Sequence, residues 1–227
     1  MSKIDEVLIR LDALADPQQL DGMSRYGMSV DRRLGIKIPE LRRLARQVGH
    51  DHELALALWD TGFAEARILA AMVDEAGAVS AEQMDAWIRD FDSWDVCDQV
   101  CMNLFDKTPL AWGKVYEWAD HEAEFEKRAA YALIACLAWH DKQAGDDRFI
   151  AFLPLIVQGS TDNRNYVKKG VSWALRHIGK RNVVLRGQAL RTAARLQEMD
   201  SKSARWIAKD AIRDLNSEST RKRLEIT

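Results

Sequence analysis

The sequence predicts an all-α fold. Apolar residues recur at spacings of three and four through almost every segment, and no stretch alternates with period two over a useful length. The 227 residues include only 12 Gly and 4 Pro, too few turn formers for a chain rich in short strands. A chain of this length buries enough surface for a substantial core. With 47% hydrophobic and 30% charged residues, it reads as globular rather than disordered.

The elements follow in order. MSKIDEVLIRLDALAD is amphipathic and acidic, without an apolar signal core, and no 18-residue apolar run follows it. The expectation is a cytoplasmic protein that does not enter a membrane. Residues 38–49 place Pro in the first turn and Gly after the end, as helix termini prefer. Residues 53–62 and 65–77 each end at glycine, and 80–91 opens on Ser80 as a cap. Helices over 95–105, 109–119, 122–140, 147–159, 165–180, 183–199 and 203–215 complete the set, and 216–227 is read as a C-terminal tail. The three cysteines, an odd number, agree with a reducing compartment. Cys97 and Cys101, one turn apart, read as small core residues.

Four of these helices resemble one another: EARILAAMVDEAG, EKRAAYALIACLA, VKKGVSWALRHIG and SARWIAKDAIRDL. Aligned on Arg67, Arg128, Lys169 and Arg205, they are separated by 61, 41 and 36 residues, and Asp98 divides the first interval into 31 and 30. Such periods fit stacked helix pairs of the HEAT type. The expected architecture is one domain, a curved α-solenoid of HEAT-like repeats with one helix of each pair on its concave face.

A cation near a helix start opposes the helix dipole at a cost of about 0.3–1 kcal/mol, so its repetition hints at an anionic partner. Exposed side chains covering apolar neighbours would give the same pattern. Charge is also uneven: residues 1–159 carry −11 and residues 160–227 carry +9. The basic half is a candidate polyanion face.

Asp98 puts an acid where its counterparts have bases, and Trp94 stands one turn before it. Val96, Cys97, Val100, Cys101 and Leu104 form the core stripe of this helix, with Trp94 and Asp98 flanking it. Asp92 or Ser93 fits a helix cap and Asp95 fits the first turn, where the dipole favours an acid. Trp173 lies in the helix that begins with Lys168 and Lys169. Two indoles and a carboxylate on one concave face among cations is one reading of this set; core packing is the other for either tryptophan.

SWDVCD, followed by EKRAAYALIACL and YVKKGVSWALRHIGK, resembles the DNA alkylation repair family of bacterial HEAT-like glycosylases. LGIKIPELRRLAR is similar to that family's amino-terminal signature. The resemblance runs from about Leu34 to Leu215, leaving 1–33 as less typical N-terminal helices. It implies catalytic roles for Trp94, Asp98 and Trp173 and a DNA-contacting role for Arg128. Lys127, Lys168, Lys169 and Arg205 join Arg128 as candidate phosphate contacts, and Tyr26, the counterpart of a family aromatic, is a further candidate DNA contact. The segment SRYGMSVDRR (24–33) departs from better-studied members, which carry more aromatics there. The implied activity is excision of N3- and N7-alkylated purines, the first step of base excision repair, by a monomer acting on duplex DNA without metal or cofactor.

The chemistry accommodates a single aspartate. Glycosidases usually need two carboxylates, one of them to protonate the leaving group. An N3- or N7-alkylpurine already carries positive charge and leaves as a neutral base. One ionised carboxylate then suffices to stabilise the oxocarbenium ion and place the water, while indoles grip cations with about 0.5–2 kcal/mol each. His50 and His52 lack further partners at metal-ligand spacing, and no phosphate loop, dinucleotide fingerprint or nucleophile elbow occurs. The rival reading is a HEAT-like module that binds nucleic acid or protein without catalysis. The Trp94–Asp98–Trp173 set discriminates: a scaffold has no need of a carboxylate on a DNA-facing surface.

Overall fold

The computed structural model describes residues 2–225, which form helices and turns with no strand among them. The chain falls into two compact units, Met1–Leu110 and Ala111–Thr227.

The first unit contains α1 (Lys3–Leu14), α2 (Leu20–Arg25), α3 (Ile38–Val48), α4 (His52–Asp60), α5 (Ala64–Val73), α6 (Ala81–Arg89) and α7 (Trp94–Asn103). A capping box between Ser2 and Asp5 starts α1, which buries Val7 and Leu11. Helices α3, α5 and α7 lie side by side with their starts at one end. Polar bonds across those starts set the arrangement. Buried Glu65, in the first turn of α5, accepts from the backbone N–H groups of Leu34 (2.9 Å), Gly35 (2.8 Å) and Ile36 (3.2 Å), just ahead of α3. Gly35 has φ +80°, and a Cβ there would sit 2.1 Å from the Asp16 carbonyl oxygen, so only glycine fits. Arg67 donates to the Asp90 carbonyl (2.9 Å), just ahead of α7. Between α4 and α6, Trp59 and Trp87 stack at 3.8 Å, and the Trp59 indole N–H donates to Asp90.

Glu65→Gln replaces one of the two acceptor oxygens with an N–H₂, which sets it against at least one of the three backbone donors. It is expected to lower stability by about 1–3 kcal/mol, read as a lower denaturant midpoint at unchanged slope. An unmoved midpoint overturns this account of the Leu34–Ile36 turn.

The second unit contains α8 (Ala111–Trp118), α9 (Glu124–His140), α10 (Asp146–Ile150), α11 (Leu153–Gly159), α12 (Asn165–Gly179), α13 (Val183–Glu198), α14 (Lys202–Leu215) and α15 (Glu218–Arg223). Every residue of α9 from Arg128 to Ala138 is buried, and its many alanines let neighbouring helices approach closely. Helices α9, α12 and α14 again start at one end. The Tyr166 N–H donates to Glu124 (3.0 Å), and the Ser203 hydroxyl donates to the Asp162 carbonyl (2.7 Å).

The repeat register holds. Arg67 and Arg205 are the fourth residues of α5 and α14, and Asp98, Arg128 and Lys169 are the fifth of α7, α9 and α12. Two details differ from the sequence reading. The single helix expected over 147–159 is two, because Pro154 has no N–H to continue the ladder and instead opens α11. The stretch read as a tail carries α15, capped by Ser217 and anchored by buried Thr220.

Candidate functional site

The start of α7 is bound to the segment before α3. Ser93 is the N-cap residue, but its buried hydroxyl donates to Asp95 (2.5 Å) instead of accepting from the helix amides. Asp95 receives both ends of the Arg33 guanidinium, at 2.8 and 3.0 Å, in a pair whose side chains are 2% and 11% exposed. Arg33 also donates to the Ser29 carbonyl (2.6 Å), and the Ser29 N–H donates to Ser93 (3.3 Å). Trp94, half-buried, donates its indole N–H to the Tyr26 carbonyl (3.1 Å). The departing segment 24–33 is therefore the structure that holds α7 in place. Tyr26 supplies its backbone carbonyl to this bond, and the residue stands 77% exposed. Asp98 follows Trp94 by one turn, also half-buried, and Val96, Cys97, Val100, Cys101 and Leu104 are all buried as the stripe requires. The arrangement sets a π face and a carboxylate on one side of a firmly seated helix start.

In the second unit, Trp173 is half-buried in the middle of α12 and meets the His177 ring edge-on at 5.7 Å. His177 also meets Trp139 (6.1 Å), which stacks on His140 (4.8 Å). Burial, then Lys180 and Arg176, push the His177 pKa down to about 4 from 6.5. The imidazole beside Trp173 is thus neutral at physiological pH. Below pH 6.5 the unfolded chain takes up a proton that the folded chain refuses, so stability falls as pH falls, by about 3 kcal/mol at pH 4. His177→Gln is expected to flatten this slope in urea midpoints measured between pH 4.5 and 7. Matching slopes in wild type and variant overturn it.

The candidate phosphate contacts divide. Arg128 is 5% exposed and donates to the Tyr166 carbonyl (2.6 Å), which leaves its guanidinium little surface for a ligand. Lys127 lies 4.0 Å from Asp162. Lys169 and Arg205 are exposed, Arg205 donating to the Met199 carbonyl (2.9 Å), and Lys168 sits 4.9 Å over the Trp206 ring. The repeated basic residue near the helix starts therefore has an internal partner in three repeats. Arg67, Arg128 and Arg205 each hold a backbone carbonyl, which offsets the unfavourable dipole position. Arg33, Ser93 and Asp95 were not singled out together in the sequence. Only the basic and acidic types at 33 and 95 signalled them, across 62 residues.

Parallel rows of helices in each unit, with arginines joining their starts, define a HEAT-like helical-repeat protein. One solved structure shares this fold over 100% of this chain and 97% of its own, at 17% identity and a TM-score of 0.78. It represents "a new family of proteins related to the HEAT-like repeat DNA glycosylases with affinity for branched DNA structures". A designed armadillo repeat protein in complex with the peptide (KR)4 covers 99% of this chain and 87% of its own (16% identity, TM-score 0.40). An engineered protein covers 95% and 99% (15% identity, TM-score 0.45). A search of curated proteins finds no match. The sequence profile of the DNA alkylation repair enzyme family matches residues 7–215, and the chain belongs to that family. Its role is DNA repair and its partner is DNA.

Proposed function

We propose that this protein is a monofunctional, monomeric DNA glycosylase that hydrolyses the N-glycosidic bond of cationic N3- and N7-alkylpurines in duplex DNA. The observation that carries the reading is the half-buried Trp94–Asp98 pair on the seated start of α7, in a chain of the alkylation repair family. Asp98 stabilises the oxocarbenium ion as the neutral purine departs and positions the attacking water. Trp94 grips the cationic lesion and its sugar through its ring face, and Trp173 offers the same chemistry from α12. No general acid is required, since the alkylated base is protonated in effect by its own alkylation. Lys168, Lys169 and Arg205 hold phosphates, which makes binding sequence-independent and salt-sensitive. Arg128 acts from inside, fixing the start of α12 through Tyr166.

The test is release of 7-methylguanine or 3-methyladenine from methylated duplex DNA by the purified protein. Release supports the reading. Intact bases across several alkylated substrates, with DNA still bound, favour a non-catalytic binding module. The affinity for branched DNA described for the related structure motivates that second reading, and it predicts tighter binding of a four-way junction than of a linear duplex.

A further inference from the structure

Helices α12 and α14 run side by side and form a ladder of polar rungs. Along α12 and its C-cap the row is Lys168, Ser172, Arg176 and Lys180; on α14 it is Trp206, Asp210 and Asp214. The Ser172 hydroxyl donates to Asp210 (2.7 Å). Arg176 bridges Asp210 (3.4 Å) and Asp214 (3.5 Å), and Lys180 pairs with Asp214 (2.5 Å). At the first rung the pattern changes. A carboxylate would neutralise Lys168 there, but the position holds Trp206, 40% exposed, with the Lys168 ammonium 4.9 Å from its ring.

This end of the ladder keeps its positive charge. Among the described residues, no carboxylate lies within ion-pair distance of Lys168, Lys169, Lys202 or Lys209. Lys202, Trp206 and Lys209 follow one another at spacings of four and three, all exposed on one side of α14. Asp200 lies 3.4 Å from Arg205, and Asp210 is taken up by Arg176 and Arg213. Asp162 is already occupied by Arg164 and Lys127. An exposed indole inside a cluster of unneutralised cations is the chemistry of single-stranded nucleic acid recognition: phosphates meet the cations and an unpaired base stacks on the ring.

We infer that the Lys168–Trp206 end of the α12–α14 face binds a single-stranded segment of DNA, with Trp206 stacked on an unpaired base and Lys168, Lys169, Lys202 and Lys209 on phosphates. The inference rests on DNA as the partner. Lys168 acts as a displaceable cover. Its contact with an exposed ring is worth about 0.5–1 kcal/mol, less than the roughly 1–3 kcal/mol of a stacked base. The ammonium exchanges the ring for a phosphate and the indole passes to the base. A duplex presents phosphates to the same lysines and no free base to Trp206. The face therefore favours DNA with a gap, a flap or a frayed end.

Fluorescence anisotropy of the full chain decides it, using a labelled single-stranded oligonucleotide and a blunt duplex across a salt series. Trp206→Ala is expected to weaken single-strand binding about 5–150-fold relative to its effect on the duplex, the range that 1–3 kcal/mol of stacking implies. Trp206→Phe should recover most of that loss, and retained duplex binding in Trp206→Ala separates lost stacking from a folding defect. Lys209→Ala should weaken both ligands and reduce the slope of log affinity against log salt by about 0.7 on the single strand. Equal single-strand affinity in Trp206→Ala and wild type, with the duplex still bound, overturns this inference and leaves the repair reading intact. Failure of the wild-type protein to bind either DNA sinks both. Preferential binding of an acidic peptide over the oligonucleotide, lost in Trp206→Ala, assigns the face to a protein partner and also overturns it.

Discussion

Asp98→Asn is expected to lose about 10²–10³-fold in the rate of alkylpurine release, the usual cost of removing one preorganised stabilising group, while binding the same duplex with wild-type affinity. Asparagine keeps the size and hydrogen-bonding reach of the side chain and removes its charge. The oxocarbenium ion develops charge only as the glycosidic bond breaks, so the loss belongs to the chemical step and not to the ground-state complex. Single-turnover release of 7-methylguanine, alongside an anisotropy titration of the methylated duplex, separates the two. Equal release rates in wild type and variant remove Asp98 from the reaction. A parallel fall in binding makes it a positioning group. The lesion's own charge sharpens the test: a neutral alkylated base still needs protonation, so it should be released far more slowly by the same site.

Arg33→Ala is expected to cost about 3–5 kcal/mol of stability, because it strands the Asp95 carboxylate in a buried setting with its charge unpaired. The two side chains are 2% and 11% exposed, and their bidentate bonds are 2.8 and 3.0 Å long. Removing both charges together, as in Arg33→Met with Asp95→Leu, should recover much of the loss, since apolar replacement of a buried pair is often neutral. Chemical denaturation of Arg33→Met, Asp95→Leu and the double variant closes a mutant cycle whose coupling energy measures the pair. Additive losses mean that the pair is not the connection between the 24–33 segment and α7. The same segment holds Trp94 through the Tyr26 carbonyl. Arg33→Ala should therefore also shift the emission of the tryptophan at 94 in a background where the other seven are phenylalanine, a change that loss of global stability alone does not give in the folded state.

Much of the fold was legible. Spacings of three and four within single helices mark α3, α5, α9 and α12, because side chains one turn apart share a face and either bury together or stay wet together. Aligning four basic residues and Asp98 recovered the repeat register to within one position. Ser80 and the glycine after α3 stand at helix ends, as local capping chemistry requires. The division between α10 and α11 was also in the sequence, since Pro154 interrupts any helix that tries to pass through it.

The candidate site was legible as residue types and not as directions. Trp94 and Asp98 were separable from the core stripe because all belong to one helix, and one helix's geometry decides which residues flank which. The direction taken by a long charged side chain depends on what tertiary packing brings beside it. Arg128 turns inward to a carbonyl 38 residues away, Arg33 reaches an acid 62 residues away, and Glu65 gathers three amides from about 30 residues back. Lys168 lies over an indole on a different helix. Periodicity is a short-range property of the chain, written in neighbours three and four apart. The partner of a charge is a long-range property, and only the packed helices select it.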